Sequence, residues 1–284
     1  MPSILVTGAT GNVGPHVVGA LRRRGAQVRA LAHERQAAFG PDVEVVTGDL
    51  GDRDSVLAAC KGIDVLFLAC ANHPMQVEWE TGAIDAAAEA GVRRIVKLSA
   101  RGAGTGPEDG FWAWHGRIED HLLASGIPSV LLRPHFSMAN LLGSAGSISA
   151  AGMLFAPIGR TRVPMIHPRD IAEAAAVTLT SDGHDGRAYV LTGPEPLTFE
   201  EVAAVLSEVA GRRIGFADVP EAAALDALLM SGVPEPLARN VITVFGMLRA
   251  EPEAELTDTV EALTGTPPRR LDDYAREHAA QLGL

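Results

Sequence analysis

The chain has 284 residues, 47% of them hydrophobic, and a net charge of -11 at pH 7. That length can bury a full core, as one large α/β domain or as one domain with a smaller appendage, and the acidic balance excludes a nucleic-acid backbone as partner. No apolar run approaches a membrane span, Ile4–Val6 is too short for a signal peptide, and Cys60 and Cys70 have no metal-ligand company; a cytoplasmic protein with structural thiols and no metal is expected.

Ile4, Leu5 and Val6 read as a buried strand, and Val13, Val17, Val18 and Leu21 recur at helical spacing up to the basic turn Arg22-Arg23-Arg24. Between them lies Thr7-Gly8-Ala9-Thr10-Gly11-Asn12-Val13-Gly14. A strand entering a helix through glycines at this spacing is a phosphate site. The first glycine permits the tight turn, the second admits a pyrophosphate to the backbone N–H groups, and the third lets helix pack on strand. Gly8, Thr10, Gly11, Asn12, Val13 and Gly14 are therefore expected to hold a dinucleotide.

The segment 27–32 reads as a second strand, at whose end the adenosine ribose of a dinucleotide belongs. His33 and Arg35 there favour the extra phosphate of NADP, while Glu34 between them could face the ribose of NAD. A third strand at 43–46 is followed by Asp49 and Leu50, candidate adenine contacts, with Asp49 equally able to stabilise its turn. Asp52 reads as the N-cap of the next helix. The apolar run 64–69 suits a strand covered on both faces, and its trailing loop, with Ala69, Cys70 and Ala71, should pass over the cofactor. A helix over 77–90 and a strand over 94–99 complete another strand-helix unit. The regular alternation predicts a doubly wound parallel sheet of the Rossmann type.

Ser99 ends the 94–99 strand at the carboxyl edge of that sheet, and a Gly-rich loop leads to Phe111-Trp112-Ala113-Trp114-His115-Gly116-Arg117-Ile118-Glu119, which opens a helix running to Ser125-Gly126. With Gly48-Asp49-Leu50, the segment Gly91 to Ser99, and Leu132-Arg133-Pro134-His135-Phe136-Ser137-Met138-Ala139-Asn140, these passages resemble the short-chain dehydrogenase superfamily. More narrowly they resemble its atypical NmrA-like branch, which includes NAD(P)H-dependent quinone reductases and cofactor-sensing regulators. The resemblance covers nearly the whole chain.

It also exposes a departure. The wider superfamily pairs a serine with Tyr-x-x-x-Lys, the phenol passing a proton and the lysine lowering its pKa. Setting Ser99 on the serine puts Phe111 and His115 at the tyrosine and lysine positions, and the two tyrosines, Tyr189 and Tyr274, lie far downstream. Ordinary alcohol–ketone interconversion is thereby disfavoured. Hydride transfer to a quinone asks less of the protein, mainly stacking and orientation. Phe111, Trp112 and Trp114 offer aromatic surface for a flat substrate, or are core residues. His115 is expected to donate a proton or hold the cofactor ribose, or merely to bond Glu119 one turn on.

Beyond the strand at 128–133, Pro134 should line the crevice near the nicotinamide, His135 competes for the acid role, and Phe136 and Met138 are candidate substrate contacts. Pro168 and Asp170 suit the first turn of a helix, and a strand near 187–191 could rejoin the sheet. Thr198 with Glu201 forms a capping box, further helices are expected at 222–230 and 237–248, and a tail helix should close the chain. The expected division is a dinucleotide-binding domain over 1–155 and a smaller, mostly helical, substrate-covering part over 156–284.

These readings predict an NADP-dependent oxidoreductase, with NAD possible, acting on a quinone or polycyclic aromatic, with a homodimer as a possible assembly. Two alternatives stand beside it: an NAD(P)-sensing regulator without turnover, and a monooxygenase-like tailoring enzyme acting on an aromatic polyketide.

Overall fold

The computed structural model describes residues 2–33, 39–251 and 255–284. In chain order its elements are β1 (Ser3–Val6), α1 (Gly14–Arg23), β2 (Gln27–Ala32), β3 (Val43–Thr47), α2 (Arg53–Cys60), β4 (Val65–Leu68), α3 (Gln76–Glu89), β5 (Arg94–Leu98), α4 (Phe111–Ala124) and β6 (Ser129–Pro134). A 3₁₀ turn at Met138–Ser144 leads into α5 (Ala145–Ala151), β7 (Met153–Ala156), α6 (Pro168–Thr180), β8 (Ala188–Leu191), α7 (Phe199–Ala210) and β9 (Gly215–Asp218). The chain ends through α8 (Glu221–Met230), α9 (Glu235–Ala250), α10 (Thr259–Thr264), α11 (Leu271–Glu277) and α12 (Ala279–Leu282).

The first compact unit comprises Met1–Pro134, Pro168–Leu191 and Thr259–Thr266. Its seven strands run in the order β3-β2-β1-β4-β5-β6-β8, every adjacent pair parallel. Strand order reverses between β1 and β4, and in such sheets the crevice outside the carboxyl ends at that point is where ligands bind. Side chains alternate across the sheet. Leu5, Leu66, Leu68, Ile95 and Leu131 form one core with Val56 of α2, Ala83, Ile84 and Ala87 of α3, and Ile118 and Leu122 of α4. The intervening residues Ile4, Val6, Phe67 and Val96 are buried on the opposite face, where α1 and α6 pack together. With both faces covered, the strands read as continuous apolar runs. Asp52 caps α2 as expected, its carboxylate accepting from the backbone N–H groups of Asp54 and Ser55.

The second unit comprises His135–His167, Thr192–Asp258 and Pro267–Leu284. The chain thus leaves the first unit after Pro134, earlier than the 155 boundary read from the sequence, and β8 joins the large sheet beside β6. Helices dominate the second unit, but it also holds a two-stranded parallel sheet of β7 and β9, in register Met153↔Gly215, that the sequence reading did not anticipate. The capping box at the start of α7 is present in both directions, Glu201 N–H to Thr198 Oγ1 and Thr198 N–H to Glu201 Oε2. The single tail helix expected is instead a set of short ones, with α10 in the first unit and α11 and α12 in the second. Among the described residues no helix is long and apolar enough to cross a membrane.

Candidate functional site

The β1–α1 turn is built around three close backbone approaches. Gly8 adopts φ +59°, and a β-carbon on it would stand 2.9 Å from the Ala69 carbonyl oxygen. A β-carbon on Gly14 would stand 2.1 Å from the Gly8 oxygen, so helix and turn meet only because no side chain intervenes. The Gly11 N–H donates to the Gly8 carbonyl at 3.0 Å, closing the turn. Behind it, Thr7 Oγ1 donates to the Ala69 carbonyl at 2.9 Å and accepts from the Ala69 N–H at 2.9 Å, tying the ends of β1 and β4 together at the reversal of strand order. Thr10, Gly11 and Asn12 are exposed at the tip. No side chain caps α1 at Val13 and no acidic residue lies in its first turn, so the positive end of the helix faces outward unopposed. This cradle fits the diphosphate of a dinucleotide.

Along the same edge, Asp49 Oδ1 accepts from the Gly51 N–H at 2.8 Å, the turn-stabilising role, while its Oδ2 lies 3.6 Å from Nδ1 of the exposed His33. Leu50 is half-buried against the core. Arg35 lies outside the described residues. Past β4, Ala69 is buried, Cys70 half-buried and Ala71 exposed. Burial pushes the Cys60 thiol up to about 11 and the Cys70 thiol up to about 12, the latter helped by the negative charge of Glu80. Both stay protonated at neutral pH, consistent with structural roles. Among the described residues no three His, Cys, Asp or Glu side chains are grouped so as to hold a metal ion.

The structure revises the chemistry expected at β5 and α4. Ser99 is not free to act on a ligand in this arrangement: its hydroxyl is buried and donates to Glu119 Oε1 at 2.5 Å. Glu119 also takes a two-pronged ion pair from Arg133 of β6, Nε to Oε1 at 3.0 Å and Nη2 to Oε2, which holds the Arg133 guanidinium above its ordinary range. Glu119 is therefore not the partner of His115. His115 instead meets Lys97 of β5, Nδ1 to Nζ at 3.4 Å. Lys97 is fully buried, paired with the equally buried Glu80 of α3 at 2.8 Å, and Gln76 donates to the other Glu80 oxygen at 2.8 Å. Burial first, and the Lys97 charge second, hold the His115 imidazole well below its ordinary range. The ring is neutral at physiological pH, which removes the imidazolium form from the acid role expected of it.

The aromatic residues of α4 are largely committed to packing. Phe111 and Trp114 are buried and meet edge to face at 5.4 Å. The Trp112 ring lies so close over Gly102 that a β-carbon there would come within 2.0 Å of it.

Pro134 ends β6, and His135 is the first residue of the second unit. His135 is buried, its Nδ1 accepts from the Phe136 N–H at 2.8 Å, and its Nε2 lies 3.8 Å from Glu251 Oε2 with no hydrogen-bond partner among the described residues. Accepting at Nδ1 places the hydrogen on Nε2, so the ring presents a donor. Phe136 joins Phe199, Phe216 and Phe245 in an aromatic cluster with centroids 5.8–6.2 Å apart along adjoining pairs. All but Phe199 are only half-buried. Met138, expected as a substrate contact, is instead a core residue, 1% exposed.

The Tyr189 hydroxyl is engaged elsewhere, pairing with His184 at 2.7 Å, and Tyr274 is buried in α11, its hydroxyl without a hydrogen-bond partner among the described residues and its phenol pushed up to about 12 by desolvation. Sequence reasoning missed Lys97, Glu80 and the three distant phenylalanines. A lysine inside an otherwise apolar central strand was the one available signal, since lysine is almost never fully buried without a partner.

Comparison with known proteins agrees with this frame. The (4-alkanoyl-5-oxo-2,5-dihydrofuran-3-yl)methyl phosphate reductase of Streptomyces griseus is 40% identical over 279 residues, covering 97% of this chain and 98% of that protein. The NAD(P)H azoreductase of Xenophilus azovorans is 34% identical over 283 residues, 99% of each chain. The structure of an NADPH-dependent quinone oxidoreductase from Escherichia coli in complex with NADPH superposes with a TM-score of 0.87 at 27% identity, covering 98% of this chain and 99% of that one. Residues 2–274 match the NmrA-like family, and with the glycine cradle and the seven-stranded parallel sheet in place, the chain belongs to that family.

Proposed function

We propose that the protein is an NADPH-dependent reductase of a quinone or a related conjugated, electron-poor acceptor. The observation that carries the reading is the dinucleotide cradle of the first unit, in a chain with Phe111 where relatives of the wider superfamily keep a phenol. Gly8, Thr10, Gly11, Asn12, Val13 and Gly14 would hold the diphosphate, His33, Asp49 and Leu50 the adenosine end, and Ala69, Cys70, Ala71 and Pro134 the remainder. Bound there, NADPH supplies a hydride.

The chain's own contribution is to orient and to donate. An acceptor oxygen that gathers negative charge during reduction is stabilised by a pre-placed N–H donor, and a neutral imidazole serves this role without having to be ionised. His135 presents an N–H at Nε2 that has no hydrogen-bond partner among the described residues, with Glu251 Oε2 3.8 Å away. The exposed sides of Phe136, Phe216 and Phe245 supply flat apolar surface of the kind an aromatic acceptor stacks on. A quinone, an azo compound and an acyl-dihydrofuranone, the acceptors named for the three relatives, are all conjugated and electron-poor, which supports the substrate class.

The test is NADPH oxidation against a panel of a naphthoquinone, an azo dye, an acylated butenolide and a simple aliphatic ketone. Turnover is expected with one or more of the first three and not with the ketone. Measurable NADPH binding without oxidation by any acceptor overturns the reading, and so does turnover confined to the ketone.

A further inference from the structure

Lys97 stands out as a charge in the interior of an apolar sheet. It occupies β5 between Val96 and Leu98, shares a face with Ile95, and has no solvent exposure. A buried ion pair is weak evidence for stability, because apolar residues of similar volume at the same positions commonly stabilise as well or better. Its presence here calls for something the pair does beyond holding the fold.

The geometry supplies that role. An ammonium has N–H donors only, and around Lys97 Nζ stand Glu80 Oε2 at 2.8 Å as an ion-pair contact outside hydrogen-bond geometry, the Leu98 carbonyl as acceptor, and His115 Nδ1 at 3.4 Å. Glu80 is fixed in turn, since its other oxygen accepts from Gln76 Nε2. Lysine cannot accept, so the ring nitrogen facing it must carry a lone pair. The hydrogen of His115 is thereby assigned to Nε2.

We propose that Glu80 and Lys97 are positioning residues that lock His115 as a neutral Nε2–H donor, and that this donor serves the reduction assigned above. The inference rests on that functional reading only for the use of the donor; the tautomer and its cause are properties of the first unit alone. In a superfamily site the lysine follows a tyrosine on the same helix and sharpens a phenol. Here the cation comes from a strand beneath the helix and faces an imidazole at the lysine position, one turn past the phenylalanine that stands in the tyrosine's place.

The charged and titratable groups around the ring are consistent with a fixed state. Lys97 reaches it from β5, Glu80 stands behind Lys97 from α3, and the protonated Cys70 thiol lies in the electrostatic reach of both from the loop after β4. Glu119, one turn along α4, is held by Ser99 and Arg133. Among the described residues the ring's hydrogen-bonding neighbour is a cation, with burial around the rest, and both oppose protonation.

Nitrogen-15 NMR of histidine-labelled protein, without turnover, tests the lock. His115 is expected to show a lone pair at Nδ1 and a hydrogen at Nε2, with no titration across roughly pH 5 to 8, where free histidines titrate. In Lys97→Met the resonance should lose that fixed tautomer and show hydrogen at Nδ1 as well, burial alone still opposing protonation, and kcat for the best acceptor should fall at least about tenfold with KM for NADPH nearly unchanged. Because Lys97→Met leaves Glu80 buried and unpaired, the double variant Lys97→Met with Glu80→Leu removes both charges and keeps the test open if the single variant does not fold. An Nδ1–H tautomer or an ordinary titration in the wild type overturns the proposal, as does a double variant whose His115 resonances are unchanged. Loss of turnover in the wild-type panel would strike the reductase reading while leaving the tautomer result standing.

Discussion

One imidazole, His115, adds its own pH dependence to the acid limb of this protein's stability. In the folded chain His115 is neutral because burial and Lys97 both hold its pKa well below 6.5, whereas in the unfolded chain it titrates near the ordinary value. The sign of the linkage follows. Above roughly pH 6.5 both states leave the ring unprotonated, and it contributes no pH dependence. As pH falls below that value the unfolded chain takes up a proton that the folded chain refuses, so stability is lost at up to about 1.4 kcal/mol per pH unit, until the depressed folded pKa is reached. His115→Gln removes the titration while leaving an amide oxygen for Lys97. The free-energy gap between wild type and variant in urea unfolding should therefore narrow as pH drops from roughly 7 to 5. A gap that stays constant over that range would mean that the ring is protonated in the folded state.

The element that most constrains the cofactor end is the β1–α1 turn, and its tightest point is Gly14. A methyl group there would collide with the Gly8 oxygen at 2.1 Å and with Ala9 Cα at 2.6 Å, both backbone atoms that cannot swing aside. Gly14→Ala should therefore cost about 2–3 kcal/mol, in the range of overpacked sites, and weaken NADPH binding as the turn opens. Thermal melts with and without NADPH read both effects: a lower Tm alone, with the NADPH-induced shift intact, would show that the turn's shape does not govern binding. This turn was fully legible in the sequence, as were β1 to β6 and α1 to α4. Buried parallel strands write themselves as apolar runs, and polar caps such as Asp52 and Thr198 act on neighbours one to three residues away. What stayed hidden depends on long-range pairing. β7 and β9 are four residues each and pair across some 60 positions, and no local pattern announces that Met153 lies opposite Gly215. The same distance concealed the site's inner layer. Lys97 and His115 were each visible, but that they meet, with Glu80 completing the group, is a product of α3 and α4 packing on one face of β5.

At the scale of the whole chain, the first unit is assembled from three separate stretches, and its sheet is not complete until Leu191. β8 pairs with β6 from Leu131↔Ala188 to Pro134↔Leu191, so without it the backbone edge of β6 is left open. α6 packs on α1, and its Glu173 binds Arg23 at 2.5 Å and Arg24 at 2.8 Å across that junction, holding the carboxylate below its usual range. Partly exposed ion pairs of this kind add little. The larger loss on truncation is apolar: Ile171, Ala172, Ala174, Ala175 and Leu179 of α6 are all buried, and the α1 and sheet residues they cover would face water. A fragment ending at Phe155, where composition places the end of the nucleotide-binding part, carries every cofactor-binding residue named here and lacks both elements. It should show no cooperative thermal transition and should associate through its open edge and uncovered face. A sharp transition together with NADPH binding by that fragment would show that the interrupted stretches are accessory, and that the first 155 residues hold the fold on their own.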